Sequence, residues 1–76
     1  MLTSQRRQHP VVLSQVANVF VYVGQALEND ALSGQTAIRV VAATKALVEA
    51  TGTNGEVLLQ QNFSPEAQQL IRGYFS

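Results

Sequence analysis

The side chains able to do acid–base or ligand chemistry are few in this 76-residue chain, and they are scattered. His9 is the single histidine, and there is no cysteine. A hydroxyl nucleophile needs a base within hydrogen-bond reach and usually a third group to orient that base. His9 instead follows a polar run ending in Gln8 and precedes Pro10, which reads as the polar flank of a helix start rather than a general base. Zinc requires three or four Cys, His or carboxylate ligands at local spacing, and Glu28, Asp30, Glu49, Glu56 and Glu66 offer no such cluster. No metal is expected. Gly34, Gly52 and Gly55 form no glycine-rich run opening a helix after a strand, the layout that phosphate loops need, so no nucleotide or other cofactor is expected. Tyr22, Phe63, Tyr74 and Phe75 could stack on bases, but in this neutral chain they lack the repeated interleaving with lysines and arginines of a single-strand groove. The residues therefore argue against an enzyme and against a nucleic-acid partner.

Composition points the same way. Five Lys+Arg balance five Asp+Glu, so the chain exerts no broad attraction on nucleic acid or anionic lipid. Charged residues are 13% of the chain and hydrophobic ones 46%. A domain this short buries only about 60% of the surface its unfolded chain exposes, so some apolar side chains lack cover from within, and a patch of that kind marks a contact with another protein. The absence of cysteine fits a reducing compartment, the cytoplasm or the nucleus. Arg6 and Arg7 ahead of the apolar stretch Val11 to Val23, with Gly24-Gln25-Ala26 after it, imitate a signal peptide. Ser14, Gln15 and Asn18 interrupt that stretch and Pro10 opens it. It is also shorter than the roughly 20 residues of a membrane span. A buried helix is the better reading, and no membrane partner is expected.

The elements that position these residues are helices. Residues 1–8 are polar without an apolar period and read as a tail or connector; residues 9–76 read as one helical domain. His9-Pro10 marks the first start, proline at the first helical position lacking only an N–H that has no partner there. Val12, Val16, Val19, Phe20, Val23 and Leu27 then recur at steps of three and four and define one face as far as Glu28. Leu13, Val21 and Tyr22 lie elsewhere on the same cylinder, as in a helix covered on more than one side. Val19 to Val23 has strand propensity taken alone, but no turn signal breaks the run. After a connection over Glu28 to Leu32, Ser33 is the expected N-cap of a second helix. Its stripe is Ala37, Val40, Val41, Thr44, Leu47 and Val48, widened by Ile38, and Gly52 supplies the left-handed C-terminal residue. Lys45 and Glu49 are spaced as an i,i+4 pair on the wet side, while Ala42, Ala43 and Ala46 allow close helix approach. Thr51 to Gly55 is a turn, and a short helix follows over Glu56 to Gln61. Phe63-Ser64-Pro65-Glu66 carries an N-cap, a first-position proline and an acid at the positive dipole end. The last helix buries Ala67, Leu70, Ile71 and Tyr74, with Phe75 beside them.

The expected fold is all-α: an antiparallel helical hairpin of the HEAT/armadillo-like kind, plus a short linking helix and a short C-terminal helix. Its core or packing face is Val12, Val16, Phe20, Val23, Leu27, Val41, Leu47, Val48, Leu70, Ile71 and Tyr74. If Phe20 and Leu47 are both buried, truncating either to alanine costs about 2–5 kcal/mol. Leu13, Val21, Tyr22, Leu58 and Leu59 are the candidate contacts with another protein, since the consecutive Val57, Leu58 and Leu59 cannot all face one neighbour.

From Asp30 onward the order of features resembles the C-terminal end of the importin-β superfamily of nuclear transport receptors, which are solenoids of HEAT repeats. The likeness rests on Ala37-Ile38-Arg39-Val40-Val41 running on to Leu47, a glycine-containing turn, and Leu58-Leu59 leading into Phe63-Ser64-Pro65-Glu66-Ala67-Gln68-Gln69. Phe63 and Ala67 depart from the Leu-Ser-Pro-Glu-Gln-Gln type of ending, and the first helix fits a repeat by length and pattern only. The resemblance implies a terminal repeat that rests on the preceding repeats of a receptor carrying protein cargo into the nucleus, its last helix closing the solenoid. The alternative is an independent small helical protein that completes its core by pairing with a second copy of itself.

Overall fold

In a computed structural model describing residues 10–76, the chain forms four helices, α1 (Pro10–Glu28), α2 (Gly34–Thr51), α3 (Gly55–Asn62) and α4 (Pro65–Phe75), with no strand among the described residues. The expected tail over residues 1–8, and His9 with it, lies outside them. Helices α1 and α2 make the antiparallel hairpin, and α3 and α4 lie across one side of it. The strand-prone Val19 to Val23 is helical throughout, because its neighbours continue the 3.6-residue period and propensity alone is a weak prior.

Both helices of the hairpin end by the same device. At the end of α2, Gly52 takes φ 70° and its N–H reaches Glu49 O, while Thr53 N–H reaches Val48 O. At the end of α1, Asp30 takes φ 59°, its N–H bonds Leu27 O, and Ala31 N–H bonds Ala26 O at 2.7 Å. These are paired 6→1 and 5→2 closures that satisfy the last carbonyls. Ser33 precedes α2 as expected, but its side chain makes no capping hydrogen bond. The reason is local: Gly34 adopts φ 60°, so the chain enters the first turn along a path a normal cap does not take. Asn54, read from sequence only as a turn residue, does cap α3 by accepting from Val57 N–H. Ser64 caps α4 by accepting from Ala67 N–H, and Pro65 opens the helix.

Two adjoining clusters make the core. Val23, Leu27, Ala37 and Val41 join α1 to α2, and Phe20, Leu59, Phe63, Ala67 and Ile71 join α1 to α3 and α4. Phe75 packs against both, its ring 5.2 Å from that of Phe20. Thr44 is buried among apolar neighbours, and its hydroxyl donates to Val40 O at 2.7 Å, so no polar group is stranded there. Gly24 brings α1 close to the cover: a β-carbon there would lie 2.6 Å from Phe63 Cζ and 3.1 Å from Ile71 Cδ1.

Helix α1 ends at Glu28 as expected, but its apolar window is longer than the Val11 to Val23 stretch. It runs past Val23 to Glu28, and its Val11–Glu28 window has mean hydropathy 1.3, long and apolar enough to cross a membrane by length and composition. One face of it is packed, with Val16, Phe20, Val23 and Leu27 buried, while Ser14, Gln15, Asn18 and Gln25 are exposed and so are the apolar Val11, Val19 and Tyr22.

Candidate protein-binding faces

Of the expected core face, Val16, Phe20, Val23, Leu27, Val41 and Ile71 are buried and Val48 is half-buried. Val12, Leu47, Leu70 and Tyr74 are not core residues: they are 39%, 39%, 44% and 41% exposed. The periodicity placed them next to the buried stripe, but a helix with neighbours on one side buries a narrower arc than its apolar residues span. Leu59, read as a candidate contact, is 4% exposed inside the cluster around Phe20. It is therefore shielded from any partner. Val21 and Leu58 are half-buried against that same cluster, whereas Leu13 and Tyr22 are exposed, Tyr22 at 73%.

The exposed apolar residues are not randomly placed. Successive helical residues turn about 100°, and Phe20, Gly24 and Val21 mark the side of α1 that meets α3 and α4. Val12, Val19 and Tyr22 fall on the other side, as do Val40, Ala43 and Leu47 of α2. Gln15, Ala26, Thr36 and Ala50 complete that face, so none of these residues is an Asp, Glu, Lys, Arg or His. We call it the open face. Over the opposite side lie α3 and α4, whose outward residues include Gln60, Gln61, Glu66 and Gln69, all exposed, with Val57, Leu70 and Tyr74 as exposed apolar residues among them.

The cover is held to itself by polar contacts. Arg72 Nε donates to Glu56 Oε2 at 3.0 Å and Nη2 to Oε1 at 2.8 Å, a two-pronged pair from α4 to α3, and Nη2 also donates to Gln68 Oε1. Hydrogen bonding from Arg72 holds the Glu56 carboxyl below its usual range and raises Arg72 in turn. Sequence reading missed this pair because its members are 16 residues apart and no local spacing rule joins them. The pair it did expect, Lys45 with Glu49, is absent: Arg72–Glu56 is the salt bridge found among the described residues. Nor does any group of three His, Cys, Asp or Glu among them come together as a metal site.

Residues 6–41 match the family model described as Importin repeat. The match supports a repeat of the importin-β, HEAT type over that segment. The matched segment covers α1, the loop and the first half of α2, where the helix pattern alone had suggested a repeat; the residues from Asp30 onward that carried the resemblance are covered only as far as Val41. No curated protein and no solved structure matches the chain. Importin repeats are building units of transport receptors, are not catalytic, and act through protein–protein contact. The hairpin geometry agrees with that repeat type.

Proposed function

We propose that residues 9–76 act as one helical unit, the terminal HEAT-type repeat of a nuclear transport receptor that moves between cytoplasm and nucleus carrying protein cargo. The observation that carries this reading is the difference between the two sides of the hairpin. Its open face carries no Asp, Glu, Lys, Arg or His, so stacking on it strips water from no charge, and a preceding apolar hairpin is the surface that fits. Its other side is already covered by α3 and α4, which turn glutamines and Glu66 outward alongside the partly exposed Val57, Leu70 and Tyr74. A repeat that ends a solenoid needs such a polar outer face, whereas an internal repeat needs two apolar ones.

The test is a co-purification with the separately expressed repeats encoded upstream in the source gene. The 76-residue chain should retain them, and a Val19→Glu, Leu47→Glu double variant should lose them, since each carboxylate would be buried without a partner. Self-association of the wild-type chain, seen as a melting temperature that rises with protein concentration, together with failure to retain upstream repeats, would favour the self-pairing alternative instead.

A further inference from the structure

Two open cavities lie on either side of Phe75, away from the open face. One, of about 300 Å³, has an apolar floor that includes Phe20, Val48 and Leu59. The other, of about 240 Å³, lies between Ile38, Val41 and Tyr74. Phe75 and Lys45 line both. Val41 and Val48 are two turns apart on α2, about 10 Å, which is also the rise between positions i and i+7 of any helix laid alongside. Lys45 stands midway between them, and its amine has no salt-bridge partner among the described residues. The other charged side chains at the larger cavity are Glu56 and Arg72, bound to each other, and Glu49, which borders the end far from Ile38; Ser76 also lines both cavities.

We propose that this groove between α2 and α4 binds an amphipathic helix of a partner protein, with apolar side chains at i and i+7 entering the two cavities and an Asp or Glu between them meeting Lys45. The charge layout selects that ligand: a central acid finds an unpaired cation, and Glu49 disfavours a second acid at one end. Lys45 and Leu47 are about 200° apart around α2, so the groove and the open face can be occupied together. This inference goes beyond the stacking role and stands or falls without it.

The probe is an alanine-based helical peptide of about 20 residues, long enough to hold helix in water, with Leu at i and i+7 and Glu at i+3. Fluorescence anisotropy should show saturable binding to the full chain. Lys45→Glu should weaken it about fivefold, the scale of turning an exposed attraction into a repulsion, and replacing the peptide Glu by Lys should restore it. Val19→Glu, on the open face, should leave it unchanged. No saturable binding, equal binding of a peptide with leucines at i and i+5, or indifference to Lys45→Glu would each overturn the proposal.

Discussion

The two sides of the α1/α2 hairpin are built from the same kinds of residue and end up in opposite states. On the covered side Phe20 and Val23 are 4% and 5% exposed; on the open side Val12 and Val19 are 39% and 41% exposed, although all four are apolar and belong to one helix. What separates them is what each meets: Phe20 is buried by the cover α3–α4, anchored by Phe63 against Gly24, and Val23 by α2 through Ala37 and Val41, whereas Val12 and Val19 face neither. Apolar periodicity thus reports where a helix is prepared to be buried, and the tertiary partner decides which part of that arc is buried in this chain.

The sharpest way to break this comparison is to truncate one residue on each side. Phe20→Ala should cost about 3–5 kcal/mol, the usual range for emptying a buried aromatic site, enough to consume most of the stability of a domain this small. Leu47→Ala should cost well under half as much, because its side chain is already substantially in water. Urea titration of the two variants measures the contrast, and equal losses would mean that the open face is covered in solution. Next in size is Gly24→Ala, which forces a methyl to within 2.6 Å of the Phe63 ring and should cost about 1–3 kcal/mol as overpacking. Combining it with Phe63→Leu should recover part of that loss if the clash is the cause. Ser64→Ala removes the acceptor for Ala67 N–H and should cost about 1 kcal/mol, loosening the start of α4 and so the cover rather than the hairpin.

Much of the fold was legible in the sequence because its signals are local. Four helices, the Ser64-Pro65 start and the Gly52 stop each follow from residues within one or two turns of one another. The limits of the core were less legible: Val12, Leu47, Leu70 and Tyr74 have the right period, and period does not say whether a neighbour is there. Leu59 was misplaced for a related reason, since three consecutive apolar residues on a short helix leave open which one turns inward, and the answer depends on Phe20 and Phe63 from elsewhere in the chain. Gly24 gave no signal as a packing notch. Read from sequence, it was one small residue at the end of an apolar run, and only the approach of Phe63 gives it a role.

The smallest effect concerns how the cover holds itself together, and its sign can be worked out. Hydrogen bonding from Arg72 depresses the Glu56 carboxyl in the folded chain, so this pair adds to stability above the carboxyl's unfolded value and the contribution is lost as pH falls through the lower, folded value. Both side chains are well exposed, Arg72 at 41% and Glu56 at 58%, so the contribution is slight and open to screening. Wild type and Glu56→Gln should therefore differ in urea midpoint at neutral pH, converge in acid as the pH falls from the free glutamate value of about 4.3 through the lower folded one, and converge also in about 1 M salt, where the screening length is near 3 Å. Other carboxylates titrate in both proteins and cancel from the difference. No gap at neutral pH would show that α3 and α4 are joined by packing through Phe63 and Ala67 without an ionic tie, and a gap that persisted in acid and in salt would show that Glu56 acts there by something other than its charge.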